Sequence, residues 1–309
     1  MLTQNELREK ITNQIVTALR AGDVPFWRQT WSQGKNAGYP ANAVSGKSYR
    51  GINTLLTSLA ALEKGYESKW WGTYPQWNSL GGQVRRGEKG TTIILFKPVR
   101  KVRTNAEGEE EVSSFPVMRS WTIFNVAQVD GDLDQYRASA SSNAEPRFVD
   151  YEPAEKVIAA TGADIRYLGD RAFYSPEGDF IQMPRKEAFE KAHEFYGVQA
   201  HETVHWTGHK TRLNRLNKLA RFGSEAYAME ELVAELGSAF LRAELGIPQS
   251  DDLRSVTAYL SHWLNVLERD HSAIFTASSA AAKAVDFVLD FSRQQEQADA
   301  EAEAVAEAA

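Results

Sequence analysis

The stretch that decides the fold of the second half of this chain is "YGVQAHETVHWTGHKTRLNR", residues 196–215. Within it, His201 and His205 bracket Glu202 in the pattern H-E-x-x-H. Residues four apart project from one face of an α-helix, so the two imidazoles can bind one metal ion. Glu202 is placed to accept a proton from a water molecule and to pass it to a leaving amine. The spacing therefore predicts a metal site with a catalytic carboxylate.

A third protein ligand is needed to complete this site. Gly208 matches the glycine of the metzincin pattern H-E-x-x-H-x-x-G-x-x-H, but the third histidine of that pattern would fall at Thr211. The spacing excludes a metzincin. We interpret His209 as a hydrogen-bonding residue that follows the end of the helix at Gly208.

The next predicted helix, "YAMEELVAELGSAFLRAELG", supplies the missing ligand. Glu231 and Glu235 lie one turn apart on a largely apolar face, where two carboxylates are costly without a cation. In glutamate-zincins the first such acid binds the metal and the second orients a ligand histidine. We predict Glu231 as ligand and Glu235 as the orienting residue. Glu230, about 100° away, is expected to face solvent, although a shift of one residue stays open.

Two points are open to an alternative interpretation: which metal is bound, and whether the glutamates of this helix bind it. The chain has no cysteine, so a metal must be bound by histidine and carboxylate. A set of two histidines and one glutamate accepts Zn²⁺ or another divalent ion such as Mn²⁺. The alternative interpretation of the acidic residues is a surface cluster.

Charge divides the chain into two parts. Residues 1–131 contain 17 Lys and Arg against 11 Asp and Glu, whereas residues 132–309 contain 18 against 30. Six of the eight tryptophans lie in the first part. We predict an α+β protein of two domains: a basic α+β domain at 1–131 and a mainly helical domain with a small sheet at 148–293. Residues 132–147 are predicted to be a linker and 294–309 an acidic tail, frayed or disordered.

Hydrophobic periodicity predicts the individual elements. Residues 3–21 and 52–65 read as helices, and two apolar runs around the polar tip "RTNAEGEEE" predict a long hairpin. In the second domain, two or three short strands precede helices at 186–207, 224–245, 251–268 and 278–293. The strand at 179–184 leads into the helix of the metal site, which by its order suggests that it borders a cleft and pairs with an extended substrate.

The first domain combines aromatic and basic residues in "FWRQTW", "GKSYRG", "KWWGTYPQW" and "RRGEKG". Nucleic acid is bound by rings that stack on bases and by cations along the backbone. The pattern alone does not separate DNA from RNA, or one strand from two. Lys97 is a further possible phosphate contact, and the main candidates for nucleic-acid contacts are Trp27, Arg28, Trp31, Lys47, Arg50, Lys69, Trp70, Trp71, Tyr74, Trp77, Arg85, Arg86 and Lys89.

Long motifs in both parts resemble the ArdC family of plasmid antirestriction proteins. "GDVPFWRQTW", "WWGTYPQWNSLGGQVRRGEKGTTIILFKP" and "WTIFNVAQVDG" resemble its single-stranded-DNA-binding domain, which also precedes the primase part of some plasmid transfer primases. "HETVHWTGHKTRLNR" and "FGSEAYAMEELVAELGSAFL" resemble its zincin-like metallopeptidase domain. The resemblance implies binding of single-stranded DNA and protection of incoming plasmid DNA from host restriction during conjugation.

Three functional hypotheses follow from these observations. The first is a DNA-tethered metallopeptidase that acts on a protein of a host restriction system. The second is a non-hydrolytic protein that binds single-stranded DNA and whose metal domain is structural or binds a partner protein. The third, a DNA mimic, relies on the acidic second part, but the basic first part argues against it. We expect no membrane span, because no apolar run approaches about 20 residues. We expect a cytoplasmic protein, because the N-terminus reads as an amphipathic helix and not as a signal peptide, and the chain has no cysteine.

Overall fold

A computed structural model describes residues 3–21, 27, 36, 38–104, 110–137, 150–216, 224–248 and 254–307. The predicted hairpin is the main element of the N-terminal part. Strand β4 (Thr91–Thr104) pairs antiparallel with β5 (Glu110–Asn125), from Thr91 opposite Ile123 to Thr104 opposite Glu110. We call this pair the β4–β5 ribbon.

Short strands extend and support the ribbon. Strands β1 (Ala41–Asn42) and β2 (Trp70–Gly72) complete a sheet of order β1-β2-β5-β4. Strands β3 (Gln83–Val84) and β6 (Val129–Asp130) form a separate antiparallel pair. The sheet therefore has β4 at one edge, where its outward-facing backbone groups need partners.

Three helices accompany these strands: α1 (Gln4–Ala21), α2 (Ile52–Lys64) and α3 (Tyr74–Ser79). Helix α2 ends as predicted at Gly65, which adopts the left-handed conformation that favours glycine (φ 67°). The side chain of Asn53 on α2 satisfies the free edge of β4 at Ile94. It donates to the carbonyl of Ile94 and accepts from the amide of the same residue, both at 2.7 Å.

The C-terminal part begins with α4 (Glu152–Ala160) and a small sheet of β7 (Asp164–Tyr167), β8 (Phe173–Ser175) and β9 (Phe180–Met183). Strand β9 lies in the middle, parallel to β7 and antiparallel to β8. Both of its edges are occupied, so the expectation that this strand pairs with a substrate is wrong. Only an outer strand has a free edge.

Four helices complete the C-terminal part: α5 (Ala192–Thr207), α6 (Glu225–Glu244), α7 (Arg254–Arg269) and α8 (Ala273–Glu307). Residues 186–188 form a separate 3₁₀ turn, so α5 begins later than predicted. The acidic segment 294–307 continues α8 as helix. Alanine and glutamate are good helix formers, and the packed first part of α8 serves as its nucleus.

A single apolar core joins the two parts of the chain. Leu19 of α1, Leu55 of α2 and Ile94 of β4 belong to the same buried cluster as Leu236 of α6 and Val285 of α8. The two domains therefore share a continuous interface, which their opposite charges did not predict.

Within the described ranges no single helix is long and apolar enough to cross a bilayer, although a helix pair bent by 119° would pass by length and composition.

The boundary between the two parts also differs from the prediction. Leu133 is fully buried in a cluster with Trp77 and Val129, and Tyr136 packs against it. Residues 132–137 therefore pack with the N-terminal sheet, whereas the rest of the predicted linker lies outside the described residues. Apolar residues at two positions in a polar stretch are too weak a signal to locate such a boundary.

Candidate functional site

Helices α5 and α6 carry the predicted metal site and pack closely together. A Cβ atom at Gly237 of α6 would lie 2.8 Å from both methyl groups of Val204 on α5. The absence of a side chain at Gly237 therefore allows the two helices to approach at the turn that precedes His205. The start of α6 is held by Ser224, whose hydroxyl accepts a hydrogen bond from the Tyr227 amide at 3.2 Å.

The donor atoms of His201, His205 and Glu231 converge within 4.8 Å of one another. The two Nε2 atoms lie 3.2 Å apart, and each lies 3.6 Å from an oxygen of Glu231. A tetrahedral metal with bonds of about 2.0–2.1 Å separates its ligands by about 3.3 Å. The three groups thus fit a metal ion with little rearrangement. Glu202, the predicted catalytic residue, is buried on the same helix.

Glu230, expected to face solvent, is buried beside the histidines. Its side chain is 7% exposed, and its Oε1 lies 3.4 Å from His205 Nδ1. Arg215 holds the same carboxylate through its Nε (3.2 Å) and its Nη2 (2.9 Å). The expectation was wrong because it considered only the rotation of Glu230 on α6. The segment after α5 folds back and brings Arg215 to this face.

Glu235 lies one turn beyond Glu231 and is also buried. Its Oε1 accepts a hydrogen bond of 3.4 Å from the indole of Trp27. Glu230 is the carboxylate beside His205 Nδ1, and the orienting role of Glu235 stays a prediction. Trp27 is 2% exposed and packs against Trp263 of α7, so it is not available for stacking on a base.

Glu230 and Glu231 keep their charge, because their pKa values lie below the ordinary value, and they influence His205. Burial alone would lower the pKa of His205, but the hydrogen bond with Glu230 and the charges of Glu231 and Glu202 raise it to about 9. Burial opposes ionisation of Glu231, yet His201 and His205 together keep its pKa below the ordinary value. The centre is therefore rich in negative charge and attracts a cation.

Two tyrosines lie next to Glu231, the predicted third metal ligand. Tyr227 precedes Glu231 by one turn of α6, and its hydroxyl lies 3.2 Å from that of Tyr259 on α7. Burial is the main reason why the pKa of each tyrosine is raised, with the charge of Glu231 adding to it. Both hydroxyls remain protonated and can donate hydrogen bonds. The spacing of four residues between Tyr227 and Glu231 was the available signal in the sequence.

His209 is placed outside the metal cluster. Its Nδ1 lies 2.8 Å from the hydroxyl of Thr211 and 3.8 Å from the carboxylate of Asp179. This local bonding at the end of α5 agrees with its interpretation as a hydrogen-bonding residue.

Three of the tryptophans that we predicted to contact nucleic acid are core residues. Besides Trp27, Trp71 packs edge-on against Tyr66, and Trp77 donates from Nε1 to the carbonyl of Phe124 at 2.9 Å. Both Trp71 and Trp77 are buried. These predictions were wrong because indole rings supply much of the apolar area that a small domain needs for its core.

Other predicted contacts are engaged within the protein. Arg50 pairs with Glu244 at 3.0 Å and with Asp286, so it joins the two parts of the chain. Trp70 is half-buried and donates to the Asn36 side chain at 2.8 Å, with the ammonium of Lys69 5.0 Å from its ring.

The remaining candidates lie at the surface or outside the described residues. Lys47, Tyr74, Arg85, Arg86 and Lys89 are exposed, although Arg85 pairs with Glu88 at 2.7 Å. Arg28 and Trp31 lie outside the described residues. Trp121, at 51% exposure, is the one exposed tryptophan in the described part of the chain, and it was not among our candidates.

Comparisons with known proteins agree with this architecture. The N-terminal domain of anti-restriction factor ArdC matches residues 5–124, and a zincin-like metallopeptidase domain matches residues 152–280. The metal-free crystal structure of the antirestriction ArdC protein from plasmid R388 is 39% identical, with a TM-score of 0.78 over 94% of this chain and 98% of that one. The chain belongs to the ArdC family. The predicted resemblance and the α+β fold of two domains are confirmed.

Further relatives place this ArdC-family chain among plasmid and bacterial proteins. The Mn(II)-bound structure of the R388 protein is 38% identical, with a TM-score of 0.75 over 93% of this chain and 98% of that one. The uncharacterized protein y4eC of Sinorhizobium fredii is 38% identical over 93% of this chain and 92% of its own length. The DNA primase TraC of Escherichia coli is 37% identical over 93% of this chain, but this match spans 27% of the primase.

Proposed function

We propose that this ArdC-family protein binds single-stranded DNA and carries a metal-dependent peptidase centre that acts on a protein of a host restriction system. It would thereby protect incoming plasmid DNA during conjugation. The observation that carries the proposal is the convergence of His201, His205 and Glu231 beside the buried Glu202. The Mn(II)-bound relative supports a divalent metal at this site, with Zn²⁺ or Mn²⁺ as candidates.

Different residues of the chain would have different roles in peptide hydrolysis. A divalent cation held by the three ligands would supply Lewis acidity, which activates water and polarises a carbonyl. Glu202 accepts one proton of the attacking water, whose oxygen bonds to the carbonyl carbon. As the C–N bond breaks, Glu202 passes that proton to the leaving nitrogen. The hydroxyls of Tyr227 and Tyr259 are donors available to the carbonyl oxygen.

A second candidate function is a non-hydrolytic one. The hydrogen bond from Trp27 to Glu235 embeds part of the N-terminal segment in the metal domain. A metal domain used in this way would support the DNA-binding part and would not need to cleave a peptide.

The experiment that separates these functions uses Glu202→Gln, with Glu190→Gln on an exposed position before α5 as a matched control. Transfer of an unmodified plasmid is measured into restricting and non-restricting recipients. Metal content and thermal melting of the purified variants are measured in parallel. We expect Glu202→Gln to keep its metal and its fold and to lose protection. Full protection by this variant would refute the peptidase and leave the non-hydrolytic function.

Binding to DNA is tested separately by fluorescence anisotropy with a labelled oligonucleotide. Phosphate contacts release counterions, so log Kobs should fall with log salt by about 0.7 for each contact with a single strand. Equal affinity for a duplex would contradict the preference for a single strand.

A further inference from the structure

One face of the β4–β5 ribbon changes from buried to exposed along its length. Side chains alternate between the two faces of a strand, and directly paired residues share a face. Ile93 and Leu95 of β4 are opposite Trp121 and Arg119 of β5 in the observed register. These four residues, together with Lys97, define what we call the ribbon face.

Helix α2 covers only the base of the ribbon face. Ala60 and Ala61 of α2 pack with the buried Ile93 and Ile123. Asn53 at the start of α2 bonds to Ile94, and Lys64 at its end lies at the base of the ribbon. The apolar positions that follow Ile123 and Ile93 toward the tip are open: Trp121 is 51% exposed and Leu95 44%. Adjacent exposed apolar side chains with polar residues around them are one mark of an interaction site.

Positive charge lies on both sides of the exposed apolar pair, Leu95 and Trp121. Lys97 and Arg119 are exposed toward the tip of the ribbon face. At its base Lys64 donates from Nζ to the carbonyl of Lys89 at 2.7 Å, and both of these lysines are exposed. An apolar patch with cations on either side complements a polyanion that also presents flat apolar surfaces.

Single-stranded nucleic acid has this combination of features. Its bases are free to stack on an aromatic ring, and its phosphates can contact the lysines and arginines beside it. In a duplex the base faces are already stacked, so the indole of Trp121 would have no surface to contact. The distance along β4 from Thr91 to Lys97 is about 20 Å, which gives room for a short stretch of nucleotides.

We propose that the ribbon face is the binding site for single-stranded DNA, with Trp121 as the platform for a base and with Lys97 and Arg119 as phosphate contacts. The assignment rests on the proposed binding of single-stranded DNA and specifies where it occurs. It replaces the buried tryptophans Trp27, Trp71 and Trp77, which no base can reach.

The test compares full-length variants in anisotropy titrations with an oligo-dT of about 16 nucleotides. Loss of one stacked base should weaken binding of Trp121→Ala by about 5- to 150-fold, whereas Trp121→Phe retains most of the affinity. The double variant Lys97→Ala/Arg119→Ala should lower the salt slope by about 1.4. Phe173→Ala, which removes an exposed ring of β8 in the other part of the chain, is the control and should bind as the wild type does.

The outcomes separate this assignment from the proposed function. If the wild-type chain does not bind the oligonucleotide at all, the proposed DNA binding fails and the assignment fails with it. If the wild type binds and Trp121→Ala binds equally well, only the assignment is overturned. Because a variant can lose its fold, a melting curve is recorded for each variant.

Photo-crosslinking of the wild-type protein to an iodouracil-substituted oligonucleotide gives an independent result. We expect the crosslink to map to Trp121, and a crosslink elsewhere would refute the assignment.

Discussion

Replacing Glu230 by glutamine should weaken metal binding although Glu230 is not a ligand in the observed cluster. Glu230 Oε1 lies 3.4 Å from His205 Nδ1, while the Nε2 atom of the same ring lies 3.6 Å from Glu231 Oε1, on the side of the candidate metal site. A carboxylate behind a ligand histidine fixes the ring and makes it a better donor. Arg215 holds this carboxylate by hydrogen bonds of 3.2 and 2.9 Å, so its position is well defined.

The expected loss of metal affinity for Glu230→Gln is about 10- to 100-fold, or about 1.4–2.7 kcal/mol. Glutamine keeps the shape of the side chain and one acceptor oxygen for Arg215. Alanine would leave the buried guanidinium without its partner, at a cost to folding of about 3–5 kcal/mol, so it would confuse metal binding with unfolding.

The assay is a competition titration of Zn²⁺ and of Mn²⁺ against a chromophoric chelator, with Glu235→Gln and the exposed Glu190→Gln as comparisons. Melting curves of the metal-free variants show whether the fold is intact. The reasoning is refuted if Glu230→Gln binds metal within about twofold of wild type. A loss of metal affinity in Glu235→Gln alone would instead support the orienting role predicted for Glu235.

Further predictions concern packing and charge. Trp77→Ala removes a fully buried ring and should lower the free energy of unfolding by about 3–5 kcal/mol in urea titrations, and a change below about 1 kcal/mol would contradict its place in the core. Gly237→Ala should overpack the α5–α6 contact, at about 1–3 kcal/mol in the same titration, and should also weaken metal binding. Hydrogen bonding from Arg212 lowers the pKa of Asp179 from 3.8 to about 2, so its contribution to stability is present above pH 3.8 and is lost as the pH falls through about 2. The melting temperature of Asp179→Asn should accordingly depend less on pH between these values, and an unchanged slope would argue against this pair. Arg50→Gln breaks ion pairs between the two parts of the chain and should lower stability by about 1 kcal/mol while DNA affinity stays within about twofold of wild type; a large loss of affinity would restore Arg50 as a phosphate contact.

Local patterns predicted the elements of this protein well. The apolar spacing in residues 3–21 and the glycine at 65 correspond to α1 and to the end of α2. The polar tip between two apolar runs corresponds to the β4–β5 ribbon. In each case the signal lies within a few residues, because helix and strand periodicity and turn preferences are short-range properties of the chain.

The candidate metal site was predictable to the same extent. His201 and His205 are one turn apart on one helix, so their convergence needs no knowledge of the rest of the fold. Glu231 required a second helix, and the paired acids on an apolar face indicated it. The position of Glu230 beside His205 was not predicted. Arg215, from the segment after α5, holds Glu230 there, and this contact depends on the tertiary structure.

The sequence by itself determined the family, the helices and strands, the histidine pair and the basic character of the first part. Only the tertiary structure decided which aromatic residues are buried and which are exposed. Trp71 of β2, Trp77 of α3 and Trp121 of β5 all lie in the same basic domain, yet the first two are buried and the third is exposed. The difference depends on where α2 stops covering the ribbon and on what packs against each strand from distant parts of the chain. Exposure results from long-range packing, and composition and spacing carry little information about it.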